Sequence, residues 1–194
     1  RGFGVILGPE EAYRFARGEE VMTSHGEPFK LSRPLDWMVV SDHSVGMGAM
    51  KEIIAGNPRL LKDKTVRGWH QAFAAGGETA FQATMEVINA FALGNTPDVV
   101  LDRDFQQTVW DEYIDLAEKY NEPGRFTAII GYEWTSTENG NNLHRNVLYR
   151  DDGELARRMV PYTTAESFNP EELWKWMARY EELTGGKVLA LAHN

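Results

Sequence analysis

Cysteine is absent from the 194 residues. Disulfides, thiolate metal ligands and cysteine nucleophiles are therefore excluded together. The compartment stays open, because a chain without thiols suits either redox environment. No apolar run approaches the ~20 residues that a membrane-spanning helix needs, so no membrane partner is expected. Basic charge is also scarce: 20 Lys and Arg stand against 29 Asp and Glu, a formal net charge of −9. With no basic run either, a nucleic-acid partner is not expected. What is present is ordinary for a soluble globular domain, since 42% hydrophobic residues suffice for a sizeable core and argue against disorder. Position 1 is Arg, and the final residues read as a strand that stops at Asn194. The chain accordingly reads as a piece of a longer protein. Any targeting signal would lie upstream, which leaves cytoplasmic, periplasmic and secreted locations all open.

Apolar periodicity and breakers divide the chain. Gly8-Pro9 followed by Glu10 and Glu11 predicts a helix start, with Pro in the first turn and acids near the positive end of the dipole. That helix runs to about Arg17 and stops at Gly18. Leu35-Asp36-Trp37-Met38-Val39-Val40-Ser41 reads as a buried strand that empties into Asp42-His43. Residues 44–125 are almost wholly helical in pattern. Within them Phe81, Met85, Ile88 and Ala92 form a stripe behind an N-cap at Thr79 and before Gly94. Phe105, Val109, Tyr113, Leu116 and Tyr120 form another, closed by Asn121-Glu122-Pro123-Gly124. Residues 126–134 and 146–149 read as the second and third strands, and 187–192 as the fourth. Asn169-Pro170-Glu171-Glu172 opens a helix whose buried face is Leu173, Trp176, Met177, Tyr180 and Leu183. Strands alternating with helices predict an α/β fold with a parallel sheet or barrel. The 44–125 segment exceeds any single crossover and is expected as an inserted helical layer over the strand ends.

The polar residues suited to chemistry fall at those strand ends. Asp42 and His43 follow the first strand, Glu133 ends the second, His144 precedes the third and His193 ends the fourth. Strand ends carry the active sites of parallel α/β folds. Three His and one Glu, with no Cys, are the ligand set of a hydrolytic zinc, manganese or iron centre. Taken singly, each has a plainer reading. Asp42-His43 suits a helix N-cap, His144 a solvated loop, and His193 a satisfied core histidine. Glu133 sits in an apolar strand, where a carboxylate must be paired or ligating. His25 reads as a surface residue. Trp134, Trp174 and Trp176 read as core or rim packing. Arg59, Lys62, Lys64 and Arg67 precede Trp69-His70 and suit either a solvated helical face or the grip on a small anionic substrate. Arg67, Trp69 and His70 are the candidate substrate-binding residues.

Ser41-Asp42-His43-Ser44, Gly131-Tyr132-Glu133-Trp134-Thr135, Leu143-His144-Arg145-Asn146 and Leu191-Ala192-His193-Asn194 occur in this order. They resemble successive motifs of the PHP (polymerase and histidinol phosphatase) superfamily. Leu7-Gly8-Pro9-Glu10-Glu11-Ala12-Tyr13-Arg14-Phe15-Ala16-Arg17-Gly18-Glu19 and Leu31-Ser32-Arg33-Pro34-Leu35-Asp36-Trp37 resemble its DUF3604 branch more closely. The resemblance covers essentially the whole chain. It implies that residues 1–194 are part of a distorted seven-stranded (β/α) barrel, the 44–125 insertion included. It implies up to three divalent metals (Zn, Mn or Fe) in the intact protein. Glu133 would bridge two of them, His144 and His193 would complete the central one, His43 would serve a third, and Asp42 would support the centre without ligating. The resemblance also implies a His-x-His pair before the first helix and an Asp-x-His pair on a later strand, neither of which falls within these residues. Val45 stands where the branch carries an acid. A barrel lacking its outer strands has two unpaired edges, so pairing with a second copy is expected.

The expected function of the intact protein is metal-dependent hydrolysis of a phosphoester, with weak or no hydrolysis expected from this chain alone. A bridging Glu133 holds two cations close and lowers the pKa of a shared water. The cations also stabilise charge on the substrate oxygens. His43 or a water would assist the leaving group. Two other readings stay open: a catalytically silent metal-binding module, and a hydrolase of a carboxylic or sulfuric ester.

Overall fold

A computed structural model describes residues 3–5 and 7–193, with Asn139 described by its backbone alone. Arg1 and Asn194, on which the reading of the chain ends rests, lie outside the described residues. Helix α1 (Pro9–Ala16) starts where Pro9 and the acids predict, and the Glu11 carboxylate accepts from the Gly8 amide at 2.8 Å. A short antiparallel ribbon follows, β1 (Val21–Met22) with β2 (Pro28–Phe29), and then β3 (Trp37–Val39). Residues 44–125 supply α2 (Ala49–Ala55), α3 (Lys64–Ala75), α4 (Gly77–Ala92), α5 (Asp98–Leu101) and α6 (Arg103–Tyr120). The rest of the chain gives β4 (Thr127–Ile129), β5 (Gly131–Trp134), β6 (Arg145–Tyr149), α7 (Gly153–Ala156), α8 (Pro170–Thr184) and β7 (Val188–Ala192).

Side-chain caps set several helix starts, because the first amides of a helix have no partner within it. Asp63 accepts from Val66 N, Asp102 from Phe105 N and Asn169 from Glu171 N, each at 3.0 Å. Helix α8 ends at Gly185 in the left-handed conformation.

The expected seven-stranded (β/α) barrel does not form. Among the described residues the strands are two to five residues long, they lie in sheets of two, two and three, and no barrel closes. Among the named strands β3 and β4 pair in parallel, and an isolated parallel bridge joins His43 to Glu133; β1–β2, β5–β6 and β6–β7 are antiparallel. The physical reason lies in the connection after β5. It spans residues 135–144, carries only the 3-10 turn Glu138–Gly140, and reverses the chain directly instead of returning it through a crossover helix. Residues 126–134, expected as one strand, break at Ile130, where the Tyr149 amide bonds to the Ile130 carbonyl at 2.9 Å. Gly131 then lets three strands approach. A Cβ there would lie 2.7 Å from Val39 Cγ2 and 2.9 Å from the Val147 carbonyl oxygen.

Two apolar cores result. One is aromatic and joins the β5–β6–β7 sheet to α6 and α8 through Trp110, Tyr132, Trp134, Tyr149, Leu173 and Tyr180, all at most 3% exposed. Trp110 Nε1 also donates to the Ala156 carbonyl at 3.1 Å. The other lies within the helical segment, around Ile53, Leu60, Val66, Trp69, Val87 and Phe105.

Three expected faces need correction. In α4 the stripe Phe81–Ile88 faces outward: Phe81 and Ile88 are exposed, and Ala83, Thr84 and Val87 are buried instead. The helix also starts at Gly77, ahead of Thr79. In α6 the face turns toward Trp110, Ile114 and Ala117, which leaves Val109 and Leu116 half-buried. In α8, Leu173 and Tyr180 are buried but Leu183 is exposed.

Candidate metal centre

Strand register gathers the four predicted residues at one end of the sheet. Glu133 on β5 stands opposite Asn146 on β6, which stands opposite Leu191 on β7. Strand β6 runs antiparallel to both neighbours. Its start, next to His144, therefore lies beside the ends of β5 and β7, next to Glu133 and His193. His43 joins them through the backbone beyond β3. The Glu133 amide donates to the Asp42 carbonyl at 2.8 Å, and the Ser44 amide donates to the Glu133 carbonyl at 2.7 Å. Below that bridge the Ser41 hydroxyl donates to Asn146 Oδ1 at 2.8 Å, tying the chain after β3 to β6.

The side chains converge on the Glu133 carboxylate, whose residue is 7% exposed. Its Oε1 meets His144 Nδ1 at 2.8 Å and His193 Nε2 at 2.8 Å. Its Oε2 meets His43 Nδ1 at 3.2 Å. No Lys or Arg pairs with it among the described residues, so imidazoles are its charged-group neighbours. Burial holds the His144 pKa below its ordinary value and outweighs the attraction of Glu133. That direction favours the neutral imidazole, the form in which histidine ligates metals.

This donor set fits a divalent cation. One ligand atom from each of Glu133, His144 and His193 lies within 4.8 Å of the others. Bonds of about 2.0–2.1 Å in tetrahedral geometry separate ligand atoms by roughly 3.4 Å. The 2.8 Å contacts would need to open by only a few tenths of an ångström to admit an ion. The buried carboxylate, paired with no described Lys or Arg, gives an ion its electrostatic reason to bind.

Other predicted residues take different places. Asp42 contributes its backbone: besides its carbonyl bond to Glu133, its amide donates to Tyr113 Oη at 3.2 Å. Desolvation, with the nearby Glu133 charge, raises the pKa of its carboxyl group. Val45 is buried, which accounts for an apolar residue there. Trp69 packs in the helical core and donates to Glu86 Oε2 at 3.2 Å. His70 Nδ1 lies 2.8 Å from the Ile53 carbonyl oxygen, and Arg67 is exposed. The structure thus gathers Glu133, His43, His144 and His193, and places Arg67, Trp69 and His70 in the helical segment. Arg59 is paired with Asp102 and Asp104. His25 is exposed, as expected.

Two contributors escaped the sequence reading. The Thr135 hydroxyl lies 2.5 Å from His43 Nδ1 and fixes that ring beside Glu133. The Tyr113 hydroxyl donates to the Val40 carbonyl at 2.6 Å while accepting from the Asp42 amide, and so holds the chain that carries His43. Thr135 closes the Glu133 motif and Tyr113 belongs to the α6 stripe, but neither position announced a polar role.

The family model described as "Protein of unknown function (DUF3604)" matches residues 1–194. No curated protein and no solved structure matches the chain. No described helix is long and apolar enough to cross a membrane.

Proposed function

The chain belongs to the DUF3604 family, and we propose that it is a metal-dependent hydrolase of phosphoesters working at a divalent-cation centre on Glu133, His144, His193 and His43. One observation carries the reading: a single buried carboxylate turns Oε1 to two imidazoles and Oε2 to a third. That is the disposition of a carboxylate shared between two cation sites, and it agrees with the role the PHP resemblance implies for Glu133. When bound, zinc, manganese or iron ions would supply Lewis acidity and a nucleophile derived from water at neutral pH.

The chain's own residues do the remainder. Glu133 is pinned by both its amide and its carbonyl, which fixes the strand position from which its carboxylate reaches the three imidazoles. His144 and His193 approach the same oxygen and define one site. His43 has its Nδ1 occupied by Thr135 and Glu133, and its side chain is 62% exposed. Its Nε2 therefore faces outward, where it can hold a proton for a leaving group or take part in a further cation site.

The test pairs metal analysis of the purified protein with turnover of phosphoester and carboxylester substrates. Glu133→Gln is expected to lower both metal content and phosphoester turnover, the latter by at least 100-fold, on the scale of removing a group central to charge stabilisation. Undiminished metal binding in Glu133→Gln would refute the shared-carboxylate reading. Turnover confined to carboxylesters would refute the substrate class, and metal retention without turnover would leave the silent-module reading.

A further inference from the structure

We propose that the cavity beside His43 receives an apolar, uncharged or cationic portion of the substrate, so that the ester processed here carries no anionic group beyond the reacting one. The proposal rests on the hydrolase reading above and adds the class of substrate.

The cavity measures about 560 Å³, within the roughly 300–1,000 Å³ typical of small-molecule sites. It adjoins the metal centre through His43, which lines the cavity and whose Nδ1 lies 3.2 Å from Glu133 Oε2. Leu7, Val40, Met47, Met50, Val109 and Leu116 form its apolar walls, and all are half-buried. Val109 and Leu116 are the very residues that the turn of α6 leaves out of the core. Met47 and Met50 are flexible and polarizable, suited to apolar groups of varied outline.

Charge around the cavity selects further. Asp42, Glu52 and Glu112 line it, against Lys51 and His43. Lys51 lies 3.9 Å from Glu52 and is partly spent on it. Among the described residues no arginine lines the cavity, so a second phosphate or carboxylate would meet acids there and no planar, bidentate donor from them. Arg59, Lys62, Lys64 and Arg67, which the sequence offered for anion binding, are not among its lining residues. A single anionic group at the metal centre, with an apolar body in the cavity, satisfies both halves of the site.

Isothermal titration of the metal-loaded chain, without turnover, tests this. The probes are methylphosphonate, 2-naphthylmethylphosphonate, its ring-sulfonated analogue and the neutral 2-naphthylmethanol. The naphthyl phosphonate is expected to bind at least tenfold more tightly than methylphosphonate, and at least tenfold more tightly than its sulfonated analogue. Glu112→Lys changes an exposed rim residue and should strengthen the sulfonated analogue severalfold more than it strengthens methylphosphonate. Met50→Lys should weaken both naphthyl phosphonates. Equal affinity for the methyl and naphthyl phosphonates, or preference for the sulfonated analogue in the unmodified protein, would overturn the proposal. Binding of 2-naphthylmethanol with no phosphonate binding would uphold the apolar cavity and sink the ester-hydrolase reading. Binding of none of the four would sink both.

Discussion

Replacing Gly131 by alanine tests how tightly the sheet is drawn around Glu133. Gly131 is not among the glycines with positive φ, so the backbone accepts an L-residue and the cost is steric. The added methyl would lie 2.7 Å from Val39 Cγ2 and 2.9 Å from the Val147 carbonyl oxygen, where ordinary contact begins at 3.4 Å. Val39 can turn aside, but the carbonyl belongs to the β6 backbone, which is paired to β5 and β7. Overpacking of this kind costs about 1–3 kcal/mol, and the stiffer unfolded chain returns about 0.4–1 kcal/mol. The net loss is then about 1–2 kcal/mol, or about 2–8 °C in Tm for a chain of this size. Calorimetry or urea titration reads it. Adding Val39→Ala relieves the first contact and not the second, so the pair should couple by about 0.5 kcal/mol or more. Glu133 lies two residues further on the same face of β5, so zinc or manganese affinity should fall as well. An unchanged Tm for Gly131→Ala, or strict additivity with Val39→Ala, would refute the claim that this glycine sets the strand spacing.

Three other outcomes are expected. Tyr113→Phe removes the hydroxyl that serves both Val40 and Asp42, and should cost about 1–3 kcal/mol in urea unfolding; wild-type stability would show those backbone groups to be satisfied otherwise. Partial desolvation raises the pKa of the otherwise exposed Glu166 above its ordinary 4.5, against the lowering effect of the Thr163 amide. Stability from the protonated form is therefore complete below that value and lost as pH rises through the higher folded value, so Glu166→Gln should melt above wild type at pH 8 and level with it at pH 4. A pH-independent difference would contradict the assignment. Zinc or manganese at about 100 times its dissociation constant should stabilise the protein by about 2.7 kcal/mol, reversibly with a chelator, and Glu133→Gln should abolish the effect; an equal shift in that variant would place the ion elsewhere.

The candidate site was more legible than the fold. Residue types and their place at strand ends were enough to pick Glu133, His144, His193 and His43, because a carboxylate at the end of an apolar strand has few other uses. Strand direction was not legible. Antiparallel β6 came from a connection of ten residues, 135–144, whose polar composition fits a loop but does not say which way the next strand runs. Helix starts marked by Asn169-Pro170 and Pro9 were read correctly, since capping is local chemistry. Helix faces were harder. Phe81, Met85 and Ile88 have perfect spacing, yet small Ala83 and Val87 pack inward because α3 lies close beside α4 and brings Trp69 with it. Periodicity reports that a stripe exists, while neighbouring helices decide which of two stripes is covered.

The carboxylate and imidazoles of the centre come from residues 43, 133, 144 and 193, brought together by the β5–β6–β7 pairings and the bridge between His43 and Glu133. That spread has a consequence for synthesis. At about 5–20 residues per second, roughly 8–30 s separate the emergence of His43 from that of His193. During that interval the nascent chain offers scattered imidazoles but no site. Any ion that this centre takes would have to wait until the sheet has assembled, so its choice would depend on what the cell presents to a finished fold and not on what meets the chain at the ribosome.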